Sequence, residues 1–226
     1  FKNDGLEPAR VIAEHRGRYV IACGAGELSA EVTGRFMHTA VVGSEYPKTG
    51  DWVAVTVYPA EQKALIHSVL ARRSCFSRKA VGKDTVEQVL ASNVDTIFIV
   101  QGLDNNYNPM RLLRYLTSLQ NTGIKPVVVL NKADLNPDAE KIAKQTEELV
   151  APVPVFAISA KNNEHLEKIK EFMSPSRTSV FTGSSGVGKS TILNALAGRE
   201  LAAVQEVRLD DSRGRHTTVA RQLYMI

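Results

Sequence analysis

Hydrophobic and polar positions alternate along the first third of the chain. Ala9-Arg10-Val11-Ile12-Ala13 and Arg18-Tyr19-Val20-Ile21-Ala22 flank a turn at Gly17, and Leu28-Ser29-Ala30-Glu31-Val32-Thr33 alternates throughout. The run from Asp51 to Val57 is the clearest: Trp52, Ala54 and Thr56 fall on one side, and Val53, Val55 and Val57 on the other. Residues 64–70 form a fifth such segment. Period two marks a half-buried strand, and five short strands separated by turn residues predict a small closed β-barrel over residues 1–72. Residues 34–50, with Gly43, Pro47 and Gly50, read as a long polar loop.

Beyond residue 72 the pattern changes to short continuous apolar runs separated by helical stripes. Residues 96–100, 126–130, 153–158 and 179–182 read as buried strands. Leu112, Leu113, Leu116 and Leu119 form a stripe within 109–119, and 139–150 is helical. Residues 164–173 carry Leu166, Ile169, Phe172 and Met173 on one side, and 191–197 opens another helix. Such alternation predicts a parallel sheet covered on both faces. The expected fold class is an all-β barrel followed by an α/β domain over residues 73–226, with a strand at 219–226.

Composition narrows the function. Of 226 residues, 43% are hydrophobic and 23% charged, which suits a chain with a core and is too apolar for a disordered one. Apolar runs such as Ile97-Phe98-Ile99-Val100 are far shorter than the ~20 residues of a membrane-spanning helix, so a cytoplasmic protein without a membrane partner is expected. Cys23 and Cys75 are the only cysteines, too few for a disulfide framework or a four-thiolate zinc site. Residues 1–72 hold eight Lys/Arg and eight Asp/Glu, so the net charge of +4 comes entirely from the rest. Basic residues cluster at Arg72, Arg73, Arg78, Lys79 and Lys83, and again at Arg208, Arg213, Arg215, His216 and Arg221. Such clusters neutralise nucleic-acid phosphates or line a solvated loop. Arg72, Arg73, Arg78, Lys79, Arg213 and Arg215 are the candidates for RNA contact.

Three motifs carry chemistry. Gly183-Ser184-Ser185-Gly186-Val187-Gly188-Lys189-Ser190, continued by Thr191, matches the phosphate loop of nucleoside triphosphate-binding proteins between a strand and a helix. Glycines let successive N–H groups face one concavity, and the helix N-terminus adds positive potential. Lys189 is expected to bridge the β- and γ-phosphates, and Ser190 to ligate Mg²⁺. Asn131-Lys132-Ala133-Asp134 follows a predicted strand. A carboxylate at Asp134 accepts from both N1–H and the exocyclic amine of guanine, and adenine lacks that pair of donors. Asn131 can bond the other edge of the base or tie loops together, and the Lys132 stem can lie along the ring. Ser159-Ala160-Lys161 follows the next strand, where the Ala160 N–H is expected to donate to guanine O6. Together these point to GTP and GDP.

Their order is unusual. Small GTPases present the phosphate loop first and the base-reading loops last; here 131–134 precedes 159–161, which precedes 183–190. The same sheet is built only if the chain is circularly permuted, which is tolerable because domain termini often lie close together. The barrel, the permuted order and Gly214-Arg215-His216-Thr217-Thr218 resemble the ribosome small subunit-dependent GTPase A family (RsgA/YjeQ). Asn93-Val94-Asp95 and the segment opening at Asn108 are similar to it as well. The resemblance implies an oligonucleotide-binding (OB)-like barrel, a GTPase domain and a C-terminal zinc domain holding Zn²⁺. It also implies an rRNA-binding factor of late small (30S) subunit maturation whose GTP hydrolysis that subunit stimulates. Its partners would be the small subunit, its rRNA and other assembly factors.

Residues 204–218 occupy the position of an effector loop. Thr217 and Thr218 are both candidates for sensing Mg²⁺ and the γ-phosphate. His216 can orient the attacking water or meet RNA phosphate. No Asp-x-x-Gly follows, so the chain is expected to end before the last part of the GTPase domain and the zinc domain. A monomer is expected. Two other readings stay open: a guanine-nucleotide-controlled rRNA-binding checkpoint with incidental hydrolysis, and a permuted GTPase of large-subunit assembly.

Overall fold

The computed structural model describes residues 5–15, 17–40, 43–79, 87–104, 106–203 and 221–226, and of residues 78, 79 and 87 the backbone only. Among these, residues up to Val94 together with 221–225 form one compact unit, and residues 95–203 form another. In the first unit, β1 (Glu7–His15), β2 (Arg18–Cys23), β3 (Gly26–Val32), β4 (Trp52–Tyr58) and β5 (Lys63–Val69) close a barrel in the order β1-β2-β3-β5-β4. β4 pairs with β1 to complete it, and the β3–β5 pair alone is parallel. The alternation dictates the interior: Ala9, Val11, Tyr19, Ile21, Leu28, Ala30, Val32, Val53, Val55, Ala64 and Ile66 form one buried cluster. The expected loop at 34–50 contains a short helix, α1 (Gly34–Thr39), begun by Thr33, whose hydroxyl accepts the Phe36 N–H at 3.2 Å. Phe36 then meets the Tyr46 ring edge-on.

The first compact unit extends past residue 72, to Val94. The cause is a hairpin of β6 (Cys75–Lys79) and β7 (Glu87–Ser92), with Phe76 and Val89 buried. It is bonded to the barrel: Ser92 N–H donates to the Thr49 carbonyl (3.1 Å) and Asn93 Nδ2 to that of Gly50 (3.0 Å). Of the strand expected at 219–226 in the α/β domain, the described residues 221–225 belong to the first unit. Gln222 bridges Ala13, and Leu223 N–H donates to the Ile12 carbonyl at 2.8 Å. The β1–β2 register slips between Val11 and Ala13, a bulge that leaves Ile12 outside the ladder and its carbonyl open to another strand.

Arg72, one of the candidates for RNA contact, is tied to groups of the first unit. Asp51 is wholly buried, with a side-chain exposure of 0%. Its Oδ1 accepts Arg72 Nε (2.8 Å) and its Oδ2 accepts Arg72 Nη2 (2.7 Å) and the Lys48 N–H (2.8 Å). Arg72 also donates to the carbonyls of Ser44 (2.7 Å) and Tyr46 (3.1 Å). The bond to Asp51 raises the Arg72 pKa above its ordinary value. Arg73 is exposed, and the side chains of Arg78 and Lys79 lie outside the described residues.

In the second unit, β8 (Thr96–Gly102), α2 (Pro109–Leu119), β9 (Lys125–Asn131), α3 (Ala139–Val150), β10 (Val155–Ala157), α4 (Leu166–Lys170), β11 (Ser179–Thr182) and α5 (Lys189–Ala197) follow one another. The strands form a parallel sheet ordered β10-β9-β8-β11. Every residue of β8 is buried. Phe98, Val100, Val127 and Val129 pack with Leu166, Ile169 and Ile192 of α4 and α5. Ile97, Ile99, Val128 and Leu130, on the opposite pleat, are equally buried. Asn108 caps α2 by accepting the Arg111 N–H at 2.9 Å.

Two predictions concern the barrel. Arg72→Ala leaves the Asp51 carboxylate buried and unpaired, which typically costs about 3–5 kcal/mol; a lower urea midpoint is expected, and an unchanged one would mean that the pair adds nothing to stability. Burial, followed by Glu14, Tyr46 and Asp51, pushes the Tyr19 phenol up to about 12. The native barrel therefore holds that proton more tightly than the unfolded chain does, a contribution complete below pH ~10 and lost as pH rises through the elevated value. Thermal stability should decline across that interval, and less steeply in Tyr19→Phe.

Candidate nucleotide-binding site

The loops after β8, β9, β10 and β11 gather at the carboxyl ends of the strands, where open α/β sheets bind ligands. Asn131, the last residue of β9, is 3% exposed. Its Nδ2 donates to the Val187 carbonyl of the phosphate loop at 2.9 Å. Its Oδ1 accepts the Ala160 N–H at 3.0 Å. Of the two roles open to Asn131, the structure shows the tying of loops. The Ala160 N–H, the expected donor to guanine O6, here donates to Asn131, since a buried amide takes the acceptor beside it.

Lys132 turns left-handed at φ 67°, which brings the Ala133 N–H to the Ile158 carbonyl at 3.0 Å. The Lys132 ammonium pairs with Asp104. Asp134 is exposed, and its Oδ1 accepts the hydroxyl of fully buried Ser159 at 2.6 Å. One carboxylate oxygen is thus held while the side chain remains open to solvent. Lys161 is exposed beside it.

The phosphate loop joins β11 to α5. A Cβ on Gly183 (φ 148°) would fall 2.2 Å from the Val100 carbonyl oxygen, and one on Gly188 (φ 93°) 2.3 Å from Asn131 Nδ2. Both positions require glycine for space as well as conformation. Ser185 is exposed, Gly186 is left-handed at φ 75°, and Val187 is fully buried. Lys189 Nζ donates to the carbonyls of Gly183 (3.0 Å) and Ser184 (2.7 Å), and burial lowers its pKa. Ser190 and Thr191 open the first turn of α5, and the Ser190 hydroxyl has no hydrogen-bond partner among the described residues. His216, Thr217, Thr218, Arg213 and Arg215 lie outside the described residues.

Sequence reasoning missed the loop after β8. Ser184 Oγ donates to Asn106 Oδ1 at 2.9 Å, and Asp104 holds Lys132. The signal was available: a polar run from Asp104 to Asn108 directly after a wholly buried strand.

Fold and site together define a phosphate-loop nucleotide-binding protein with permuted strand order: the strand that carries the phosphate loop is last of the four in sequence yet borders the first. Residues 69–226 match the family model described as RsgA GTPase. The chain is 39% identical to the small ribosomal subunit biogenesis GTPase RsgA of Opitutus terrae, over 99% of this chain and 63% of that protein. It is 38% identical to a second such protein, from Lactiplantibacillus plantarum, over 98% of this chain and 62% of the relative. The chain belongs to the RsgA GTPase family. It spans less than two thirds of the length of these relatives. The crystal structure of YjeQ from Thermotoga maritima superposes with a TM-score of 0.66 over 84% of this chain and 65% of that one, at 24% identity. YloQ, described as a circularly permuted GTPase, superposes with a TM-score of 0.58 at 19% identity, over 84% of this chain and 63% of that one. These two likenesses bear on the fold alone.

Asn131→Ala unpairs the buried Val187 carbonyl and the Ala160 amide, at about 1–3 kcal/mol each. GDP affinity, read by fluorescence titration, should fall at least about tenfold while the far-ultraviolet circular dichroism stays native. Unchanged affinity would mean that the three loops hold themselves.

Proposed function

We propose that the chain is the barrel and most of the GTPase domain of an enzyme that hydrolyses GTP to GDP and phosphate in late maturation of the small ribosomal subunit. The observation that supports the nucleotide most is Asn131: one buried side chain joins the base-reading loops to the phosphate loop. Asp134, positioned by Ser159, reads N1–H and the exocyclic amine of guanine; a base offering an acceptor there would leave a carboxylate unpaired, so discrimination is large. For the Ala160 N–H to meet O6 it must share or leave its bond to Asn131. Lys189 exchanges its two carbonyl acceptors for the β- and γ-phosphates. The phosphate-loop amides stabilise the charge that spreads over the γ-phosphoryl oxygens as water attacks phosphorus and the bond to the β-phosphate oxygen breaks.

The Ser190 hydroxyl suits Mg²⁺, which takes few protein oxygens beside phosphates and waters and, when bound, would supply Lewis-acid polarisation of the phosphate oxygens. Thr217 or Thr218 is the proposed second protein contact, and His216 the proposed orienter of water. Among the described residues no group of three or more His, Cys, Asp or Glu could hold a metal ion.

The proposed partner is the small subunit, a reading supported by the names of the relatives. The closed five-stranded barrel is proposed as an OB-like rRNA-binding module, with Arg73, Arg78, Lys79, Arg213 and Arg215 contributing phosphate contacts. Among the described residues no helix is long and apolar enough to cross a membrane. A cytoplasmic monomer suits a ribosomal partner.

The test is steady-state GTP hydrolysis by the full-length protein with and without purified small subunits. Large subunits and ATP serve as controls. Stimulation by small subunits alone is expected. Nucleotide binding without stimulation would favour the checkpoint reading, and stimulation by large subunits would overturn the assignment. Asp134→Asn should weaken GTP and improve xanthosine triphosphate; no exchange of preference would overturn the base pocket.

A further inference from the structure

Ser184 is held from two sides. Its carbonyl accepts Lys189 Nζ at 2.7 Å, and its hydroxyl donates to Asn106 Oδ1 at 2.9 Å. Asn106 is itself braced. Arg111 Nη2, from the first turn of α2, donates to Asn106 Oδ1 at 2.7 Å and also to the Asn106 carbonyl. The Asn106 N–H donates to Asp104 Oδ1 at 3.2 Å, while Asp104 Oδ2 pairs with Lys132 of the base-reading loop. Both ends of this segment are fixed. Gln101, 1% exposed, donates to the Asn108 carbonyl (3.1 Å) and accepts the Asn108 N–H (2.7 Å). The Leu103 N–H donates to the Asn131 carbonyl at 2.8 Å.

We propose that Asn106 is a positioning residue for the phosphate loop: braced by Arg111 and Asp104, it fixes Ser184 so that the loop is ordered before the nucleotide's β-phosphate arrives. This rests on the reading of the site as one for guanine nucleotides. An ordered loop spends less conformational entropy on binding, so the effect falls on affinity. The chemical step uses amides and Lys189, which Asn106 does not touch. The strap also connects Lys132 to Ser184 through Asp104 and Asn106, so one short segment braces both the base-reading and the phosphate loops.

The experiment compares wild type, Asn106→Ala, Ser184→Ala and the double variant in the full-length protein. It reads the Kd for a fluorescent GDP analogue, then KM and kcat for GTP, with Tm as the check on folding. Each single variant should raise Kd and KM about three- to tenfold, the range of one neutral hydrogen bond, with kcat within twofold. The double variant should be no weaker than the weaker single, because both changes remove the same bond. Effects that multiply, an unchanged Kd in either single variant, or a fall in kcat at unchanged KM would overturn the proposal. Should Asn106→Ala not fold, Ser184→Ala with Arg111→Ala carries the same cycle from the other side. Failure of the wild type to bind GDP would overturn the guanine-nucleotide reading itself.

Discussion

The candidate nucleotide site depends on one amide side chain. Asn131 ends a central strand and is almost wholly enclosed, so both ends of its amide must be bonded within the protein. It meets that demand by donating to Val187 and accepting from Ala160. The loop after β10 and the loop after β11, 27 residues apart at Ala160 and Val187, are thereby held to the end of β9. Gly188 follows from the same constraint, since a Cβ there would occupy the place of the Asn131 nitrogen. No aspartate can replace Asn131 at equal cost: a carboxylate would face the Val187 carbonyl with no proton to offer. An alanine would leave two buried backbone groups without partners.

That economy explains why permuted order is compatible with the site. Asn131 acts on loops that are neighbours in space, whatever their order in the chain. The parallel sheet puts β11 beside β8 and β10 beside β9, so every loop that follows a strand emerges on one side. The junction between the first and last of these strands is secured locally: Asp95 Oδ2 accepts the Thr178 N–H at 2.8 Å, and the Asp95 N–H donates to the Thr178 carbonyl at 2.8 Å. Strand adjacency, set by hydrogen bonds and by apolar faces buried on both sides, is what the chemistry requires.

Much of this was legible before any coordinates. Period two along 9–13, 18–22, 28–33, 51–57 and 64–70 marks the barrel strands, because one face must be apolar. The runs at 96–100 and 126–130 mark central strands, because both faces must be. The phosphate loop was legible because only glycine fits two of its positions. What stayed hidden depended on partners remote in sequence. Arg72 looks like part of a basic surface stretch until Asp51, 21 residues earlier, is seen beneath it. The Ala160 amide looks available until Asn131 is seen to take it. The β6 strand ends on charge at Arg78 and Lys79, so the two apolar anchors of the β6–β7 hairpin, Phe76 and Val89, do not announce a strand pair. Residues 221–225 have a strand-like composition, yet what receives them is a bulge in β1 that no local pattern reveals.

Lys189 shows how the same geometry selects its ligand. Its ammonium lies against two carbonyl oxygens of its own loop, partly out of water, and burial lowers its pKa. Neutral acceptors take two of its three N–H donors without balancing its charge. A phosphate does both, and charge-assisted bonds are roughly twice as strong as neutral ones. An uncharged ligand gains little by displacing those carbonyls, whereas a di- or triphosphate exchanges two weak acceptors for stronger ones in a setting that screens poorly. The carbonyls nonetheless matter, because they keep the lysine inside the concavity where the helix N-terminus and loop amides already point. The loop thus stores a cation inside its own concavity, at the carboxyl end of the sheet.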